Sequence, residues 1–249
     1  MVYNAFMTKP NFSSLLDWLY PPTCISCKSL LPLNHSARYI CGACAVLFDG
    51  VVAPMCERCG VSVPEDVTLC SSCYGKIFHF TYNRAAFPYD ELIRDLMHEI
   101  KFRGKKRVAQ GLGELWVSTI RKEDIPPEFI LVPLPMHPAK QRERGFNQAE
   151  ILANALSKGF NIPVENALVR TEDTPPQAGL HPKLRAENVR DVFAIHPNFD
   201  VGGKNYIIID DIYTTGASLN ECAKVLVFSG AAKVLCMTFA ITVKNIDKV

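Results

Sequence analysis

Tyr206-Ile-Ile-Ile-Asp-Asp-Ile-Tyr-Thr-Thr-Gly-Ala-Ser218 is the stretch whose reading decides the fold. Ile207, Ile208 and Ile209 form an apolar run of the kind found in strands buried on both faces, and it ends at two adjacent carboxylates, Asp210 and Asp211. Burying such a pair without a ligand is costly. Thr214, Thr215, Gly216, Ala217 and Ser218 then supply hydroxyls and unhindered backbone where a helical pattern begins (Leu219, Cys222, Ala223, Leu226). The first amides of a helix are unpaired donors at the positive end of its dipole, so the spacing describes a phosphate cradle.

Working outward, a final strand is expected over Val234 to Ile241, and Cys222 and Cys236 fall at apolar positions as inert buried thiols. Upstream, Ile130-Leu131-Val132-Pro133-Leu134-Pro135 reads as a second buried strand. It is followed by a rigid loop, Met136 to Gln148, that carries His137, Lys140, Arg142, Arg144 and Asn147. Leu152, Ala155 and Leu156 carry the next helix. Strand, basic loop and helix make a second place where an anion could meet backbone amides. His137, beside Pro138 and with no carboxylate next to it in sequence, reads as a loop-shaping or polar contact residue, not as a general base. Alternating strands and helices predict a parallel α/β sheet covered on both faces, with ligands at the carboxyl ends of its strands.

Two more segments flank this core. Leu92, Ile93, Leu96, Met97 and Ile100 predict one helix and Val108, Leu112, Leu115 and Trp116 a second. The bend between them, Lys101-Phe-Arg103-Gly-Lys105-Lys106-Arg107, holds five basic residues in seven. A solvated turn, a pyrophosphate contact and a nucleic-acid backbone contact all fit it. Between Val169 and Phe193 the chain is polar and aperiodic, with Gln177, Arg185 and Asn188, which suits a functional lid.

The first third of the chain obeys a different rule. Eight of the ten cysteines fall as Cys24-x-x-Cys27, Cys41-x-x-Cys44, Cys56-x-x-Cys59 and Cys70-x-x-Cys73. Two intervening residues let one turn aim both thiolates at one ion, and four thiolates close a tetrahedral structural zinc site. Separations of 13 and 10 residues favour sequential pairing into two zinc sites, though spacing leaves an interleaved pairing open. One such motif could be redox-active; four of them favour metal in a reducing compartment. Metal binding also supplies folding free energy that a segment poor in large aliphatics lacks. Ahead of it, Phe12, Leu15, Leu16, Trp18, Leu19 and Tyr20 outline a short amphipathic helix stopped by Pro21-Pro22.

The totals bound these readings. A chain of 249 residues accommodates one sizeable core and an appendage, here divided as 1–77 and 78–249. A net charge of +2 gives no global case for nucleic acid, so any basic site is local. The sequence offers neither a membrane-length apolar run nor a signal peptide, which leads to an expectation of a cytoplasmic protein without membrane insertion.

Asp210 to Ser218 resembles the phosphoribosyl pyrophosphate signature of type I phosphoribosyltransferases. The Arg144-Gly-Phe-Asn-Gln148 run, Val132 to Pro135, Thr174-x-x-Gln177-x-x-Leu180, Arg185 with Asn188, and the cysteine knuckles further resemble the ComF (competence protein F) family, from Cys24 to about Phe239. That resemblance implies a type I phosphoribosyltransferase fold behind a double zinc ribbon. It assigns Asp210 and Asp211 to the ribose hydroxyls and Thr214 to Ser218 to the 5′-phosphate. The loop with Pro135, Met136, His137, Lys140, Arg142, Arg144 and Asn147 takes pyrophosphate with Mg²⁺, and Gln177, Arg185 and Asn188 take the closing loop. It also implies a part in natural transformation, where incoming single-stranded DNA and other competence proteins are the partners. Two alternatives accompany it: a nucleic-acid-binding adaptor acting through Lys101, Arg103, Lys105, Lys106 and Arg107, with a regulatory or vestigial phosphoribosyl pocket, and a housekeeping transferase acting on ammonia or a small amine.

Overall fold

The computed structural model describes residues 21–32, 39–120, 125–172 and 191–243. Four parallel strands form the central sheet in the order β1-β6-β5-β2, with β1 Asn83–Pro88, β2 Phe129–Pro133, β5 Asn205–Tyr213 and β6 Lys233–Ile241. Two short strands, β3 Leu168–Arg170 and β4 Phe193–Ile195, pair antiparallel beside it and place Arg170 opposite Phe193. The parallel α/β class expected from the sequence is therefore the observed one. The apolar-run reading did not register β1, β3 and β4, because they are short or only partly buried.

Alternation along β5 sorts the core into two halves. Ile207 and Ile209 face a layer that includes Leu112, Trp116, Leu152 and Leu156; Tyr206 and Ile208 face one that includes Leu219, Cys222, Ala223 and Leu226. Central strand β6 is sorted in the same way, with Leu235 and Met237 on the first face and Val234 and Cys236 on the second. Both flanking strands cover β5, so every residue from Tyr206 to Asp211 is buried.

The helices follow their sequence signals. The first long one, α2 (Glu91–Arg103, after the single turn α1, Gly42–Ala45), starts where the Asp90 carboxylate accepts the Ile93 amide. It stops at Gly104, which is left-handed. Its buried stripe is Ile93, Leu96, Met97 and Ile100. Helix α3 (Lys106–Thr119) follows after only Gly104 and Lys105, so the expected bend is shorter than its run of charge: Lys101 and Arg103 are the last turn of α2. Truncating fully buried Trp116 to alanine would cost about 3–5 kcal/mol.

The segment after β2 departs from expectation. β2 ends at Pro133, and the rigid loop read over Met136 to Gln148 contains helix α4, Pro138–Arg144. Pro138 sits at a position where its missing N–H costs nothing, and His137 Nδ1 accepts the Ala139 amide, so two residues that look like loop formers start a helix. Helix α5 (Gln148–Phe160) is capped by the Asn147 side chain, and α6 (Ala217–Phe228) begins at the Gly216 turn.

Among the described residues, the cysteine-bearing segments have no core of their own. Cys24, Ile25, Leu31, Ile40 and Cys44 join the half-core on the α2, α3 and α5 side; Cys56, Cys59, Val61, Val63, Cys70 and Cys73 join the half-core on the α6 side. The two knuckle pairs thus embrace opposite faces of one sheet. The first docks through close backbone approach, since a Cβ on Gly111 of α3 would lie 2.7 Å from both Ile25 and Tyr39. The expected amphipathic helix before Pro21 lies outside the described residues.

Candidate functional site

The carboxyl edge of the sheet gathers most of the chemistry. Asp210 pairs in register with Thr238 of β6, and its Oδ1 accepts the Asp211 amide at 2.8 Å. Asp211 Oδ2 receives the Lys101 ammonium at 2.8 Å and the Gln148 amide at 3.3 Å. Arg144 donates to Gln148 Oε1 at 2.6 Å, so α2, α4, α5 and β5 meet at one polar chain. Asp210 and Asp211 are 9% and 4% exposed, which makes their charge a local problem. Burial, reinforced by the neighbouring Asp211 charge, holds the Asp210 carboxyl well above the usual carboxylate range. Burial acts the same way on Asp211, but Lys101 outweighs it and holds that carboxyl below the range. Lys101 is raised in turn, because Asp211 overcomes its own desolvation. The surroundings thus push the two adjacent carboxyls in opposite directions.

Beyond Tyr213 the chain turns tightly. Gly216 has φ +75°, and a Cβ there would lie 2.7 Å from Tyr213 Cζ, with the hydroxyl closer still. Glycine is thus required twice, for its dihedral and for the ring beneath it. The Thr215 hydroxyl accepts the Ala217 amide at 3.4 Å, and Thr242 Oγ1 donates to the Tyr213 carbonyl at 3.3 Å, which fixes the turn against the end of β6. The remaining first-turn amides of α6 stand at the positive end of its dipole.

Across the edge, Leu134 N bonds Ile209 O at 2.8 Å, so Pro135 and Met136 begin beside the acid pair. Asn147 Nδ2 holds the Leu134 carbonyl at 3.0 Å, giving Asn147 a positioning task in addition to its cap. His137 caps α4, and Lys140, Arg142 and Arg144 lie on that helix. The Arg144 Nε is buried and has no hydrogen-bond partner among the described residues. Gln177, Arg185 and Asn188 lie outside the described residues.

The basic bend is held mostly by internal partners. Lys101 is on Asp211, Arg103 contacts Glu99 at 2.5 Å, Lys105 also contacts Glu99, and Arg107 stacks over Tyr39 at 4.8 Å while donating to the Thr23 carbonyl. Lys106 and the ring of Phe102 face solvent. Sequence reading grouped these charges as one patch because they are adjacent. Helical geometry sends Lys101 inward, a hundred degrees per residue away from its neighbours. Gln148 and Tyr213 were missed as site-forming residues; both stood inside quoted motifs without a chemical signature of their own.

The cysteines assemble as Cys24/Cys27/Cys41/Cys44 and Cys56/Cys59/Cys70/Cys73, with all sulfurs of each set within 4.8 Å of one another. This is the sequential pairing. The Cys27–Cys41 and Cys59–Cys70 sulfurs are 3.8 and 3.7 Å apart, matching the edge of about 3.8 Å of a tetrahedron with zinc–sulfur bonds of about 2.3 Å. Donor set and geometry fit two structural zinc ions. No helix among the described residues is long and apolar enough to cross a membrane.

Residues 15–75 match the double zinc ribbon domain family. Competence protein ComFC of Bacillus subtilis (strain 168) is 28% identical over 211 residues, covering 82% of each chain. DNA utilization protein YhgH of Escherichia coli (strain K12) is 28% identical over 229 residues, covering 88% of this chain and 98% of its own, and Competence protein F of Haemophilus influenzae is 28% identical over 82% of this chain and 90% of its own. Among solved structures, glutamine phosphoribosylpyrophosphate amidotransferase from B. subtilis overlaps 52% of this chain and 25% of its own, at 19% identity and a TM-score of 0.34. The chain is thus similar over most of its length to proteins named for competence and DNA utilization, and it joins a double zinc ribbon match to a parallel α/β sheet.

Proposed function

We propose that the protein binds phosphoribosyl pyrophosphate with Mg²⁺ across the carboxyl edge of the sheet, in the manner of a type I phosphoribosyltransferase, and serves DNA uptake or utilization in the cytoplasm. One observation carries this reading: a buried acid pair lies within the last four residues of β5, which leads into a glycine turn that opens helix α6. Asp210 and Asp211 would hold the ribose hydroxyls, and Thr214 to Ser218 the 5′-phosphate. Pro135, Met136, His137, Lys140, Arg142, Arg144 and Asn147 would take the pyrophosphate side, with Gln177, Arg185 and Asn188 covering the ligand. Carboxylate oxygens are suitable donors for a hard cation, and Mg²⁺ bound with pyrophosphate would offset the charge of that leaving group. In transfer, the acid pair favours positive charge developing on the ribosyl ring, while amides and arginines favour the departing anion; no side chain serves as nucleophile. The acceptor is left open. Calorimetry with phosphoribosyl pyrophosphate and Mg²⁺ tests the reading: wild type should bind, and Asp210→Asn/Asp211→Asn should not while retaining both zinc ions. Absence of heat in the wild type would sink it.

A second reading, direct binding of single-stranded DNA, draws on the relatives' names and on the exposure of Phe102 and Lys106. Oligonucleotide affinity should then fall steeply with salt, and neutralising Lys105 and Lys106 should reduce that slope. Salt-independent or undetectable affinity would count against it.

A further inference from the structure

Lys101 occupies a place that the function proposed above does not use. It leaves the last turn of α2 and puts its ammonium 2.8 Å from Asp211 Oδ2, a carboxylate with 4% exposure. Its own side chain is 30% exposed, so the amine reaches inward from the rim of the site without being sealed in the core. The end of α2 is held in place from two sides: Gly104 lies against the Arg144 carbonyl, with a hypothetical Cβ at 3.4 Å, and Glu99 engages Arg103 and Lys105. The charged groups around the carboxylate are Asp210, Lys101 and Arg144, the last joined to Asp211 through Gln148.

Such an ion pair has a thermodynamic consequence. A buried carboxylate that loses its counter-ion pays the full desolvation cost of an unpaired charge, so the ammonium can leave only when another cation arrives. Lysine suits exchange better than arginine, because its compact head sits on a flexible stem and makes a point contact, not a two-pronged one.

We propose that Lys101 is a positioning residue of the acid site, a tethered resident cation that holds the place at Asp211 which a divalent ion takes when the phosphorylated ligand binds. In the free protein it keeps Asp211 ionised and aimed, and it competes with bare metal. Cation entry is thereby coupled to ligand entry: phosphate groups contribute the extra oxygens that let a divalent ion displace the ammonium. The inference rests on the acid pair being the ligand end of the site.

The test uses metal alone, in zinc-loaded full-length protein. Mn²⁺ binding, followed by electron paramagnetic resonance at constant pH, should be weak in wild type and in Lys101→Arg. It should tighten by at least about tenfold in Lys101→Met, the result expected when a competing cation 2.8 Å from the carboxylate is removed. Adding Asp211→Asn to Lys101→Met should abolish the gain, which places the metal. Lys101→Gln replaces Lys101→Met if the latter loses its zinc or its far-ultraviolet spectrum. Affinity that is unchanged or weaker in whichever neutral variant folds, or a gain that survives Asp211→Asn, overturns the proposal. Because no phosphoribosyl pyrophosphate is present, a wild type that fails to bind that ligand would refute the proposed function and leave this result standing.

Discussion

The two cysteine quartets share one motif and have different jobs. In the first, Cys27 is exposed and Cys41 half-buried; the second is buried at all four positions. The first touches the domain through Ile25 and Tyr39 on α3, with Arg107 clasping the Thr23 carbonyl from the rim. The second is built into the sheet. Asn83 of β1, fully buried, donates to the Cys59 carbonyl at 2.9 Å and to Thr238 at 3.3 Å; Arg58 donates to the Phe80 and Thr81 carbonyls; and the His79 amide reaches Asn220 of α6. Its core also contains Tyr213, whose ring lies under Gly216. Burial pushes the Tyr213 phenol up, and Cys73 and Cys59 add to the shift. The difference teaches that a zinc ribbon's role follows from what its knuckles rest on: the first is a clip on the helical face, whereas the second is part of the floor beneath the Gly216 turn.

The largest expected break in this comparison comes from removing one zinc ligand in each quartet. Cys59→Ser should lower the thermal midpoint by more than about 10 °C or abolish soluble expression, given that structural zinc supplies about 10–16 kcal/mol in small zinc domains. Cys27→Ser should cost less than half that shift, with zinc stoichiometry read by native mass spectrometry; equal losses would end the distinction. Next, Gly216→Ala strikes the floor without touching a thiol. It should destabilise by about 1–3 kcal/mol and weaken phosphoribosyl pyrophosphate binding by at least about tenfold while two zinc ions remain. Tighter or unchanged binding would sever Tyr213 from the turn. Asn83→Ala, which leaves a buried carbonyl at Cys59 and the Thr238 hydroxyl without their donor, should cost about 1–3 kcal/mol in a chemical denaturation curve. A loss under about 0.5 kcal/mol would mean that the strand does not depend on that tie.

The smallest effect is kinetic. The Ser29 hydroxyl at 3.0 Å helps hold the Cys27 thiol at about 6, whereas burial pushes Cys44 up to about 12. After brief chelation near pH 7, iodoacetamide should label Cys27 before any cysteine of the second quartet, as read by peptide mass spectrometry. Early labelling of Cys56 or Cys73 would show the buried quartet to be the looser one.

Parts of the site were legible because they are local. Gly216 had to be glycine for a turn that opens a helix, and the cysteine spacings set which thiols could share an ion. Residues 138–144 were not legible as a helix, since proline and histidine look like loop formers unless they occupy the cap and first position, as His137 and Pro138 do. The basic bend misled for a related reason. Adjacency in sequence suggested a common surface, but the winding of α2 parted Lys101 from Arg103 and Lys105 and turned it onto Asp211.

The sequence by itself determined the buried run of β5, the glycine turn after it, the helical stripe of α2 and the four Cys-x-x-Cys pairs, while leaving open how those pairs combine. Each depends on residues close together along the chain, where backbone geometry converts spacing into direction. Only the tertiary structure decided that the quartets take opposite faces of the sheet, that Lys101 answers Asp211, and that Tyr213 supports Gly216 from the side of the second ribbon. Those pairings join elements distant in sequence and are selected by which apolar faces and buried charges can be satisfied together, a condition that no single stretch contains.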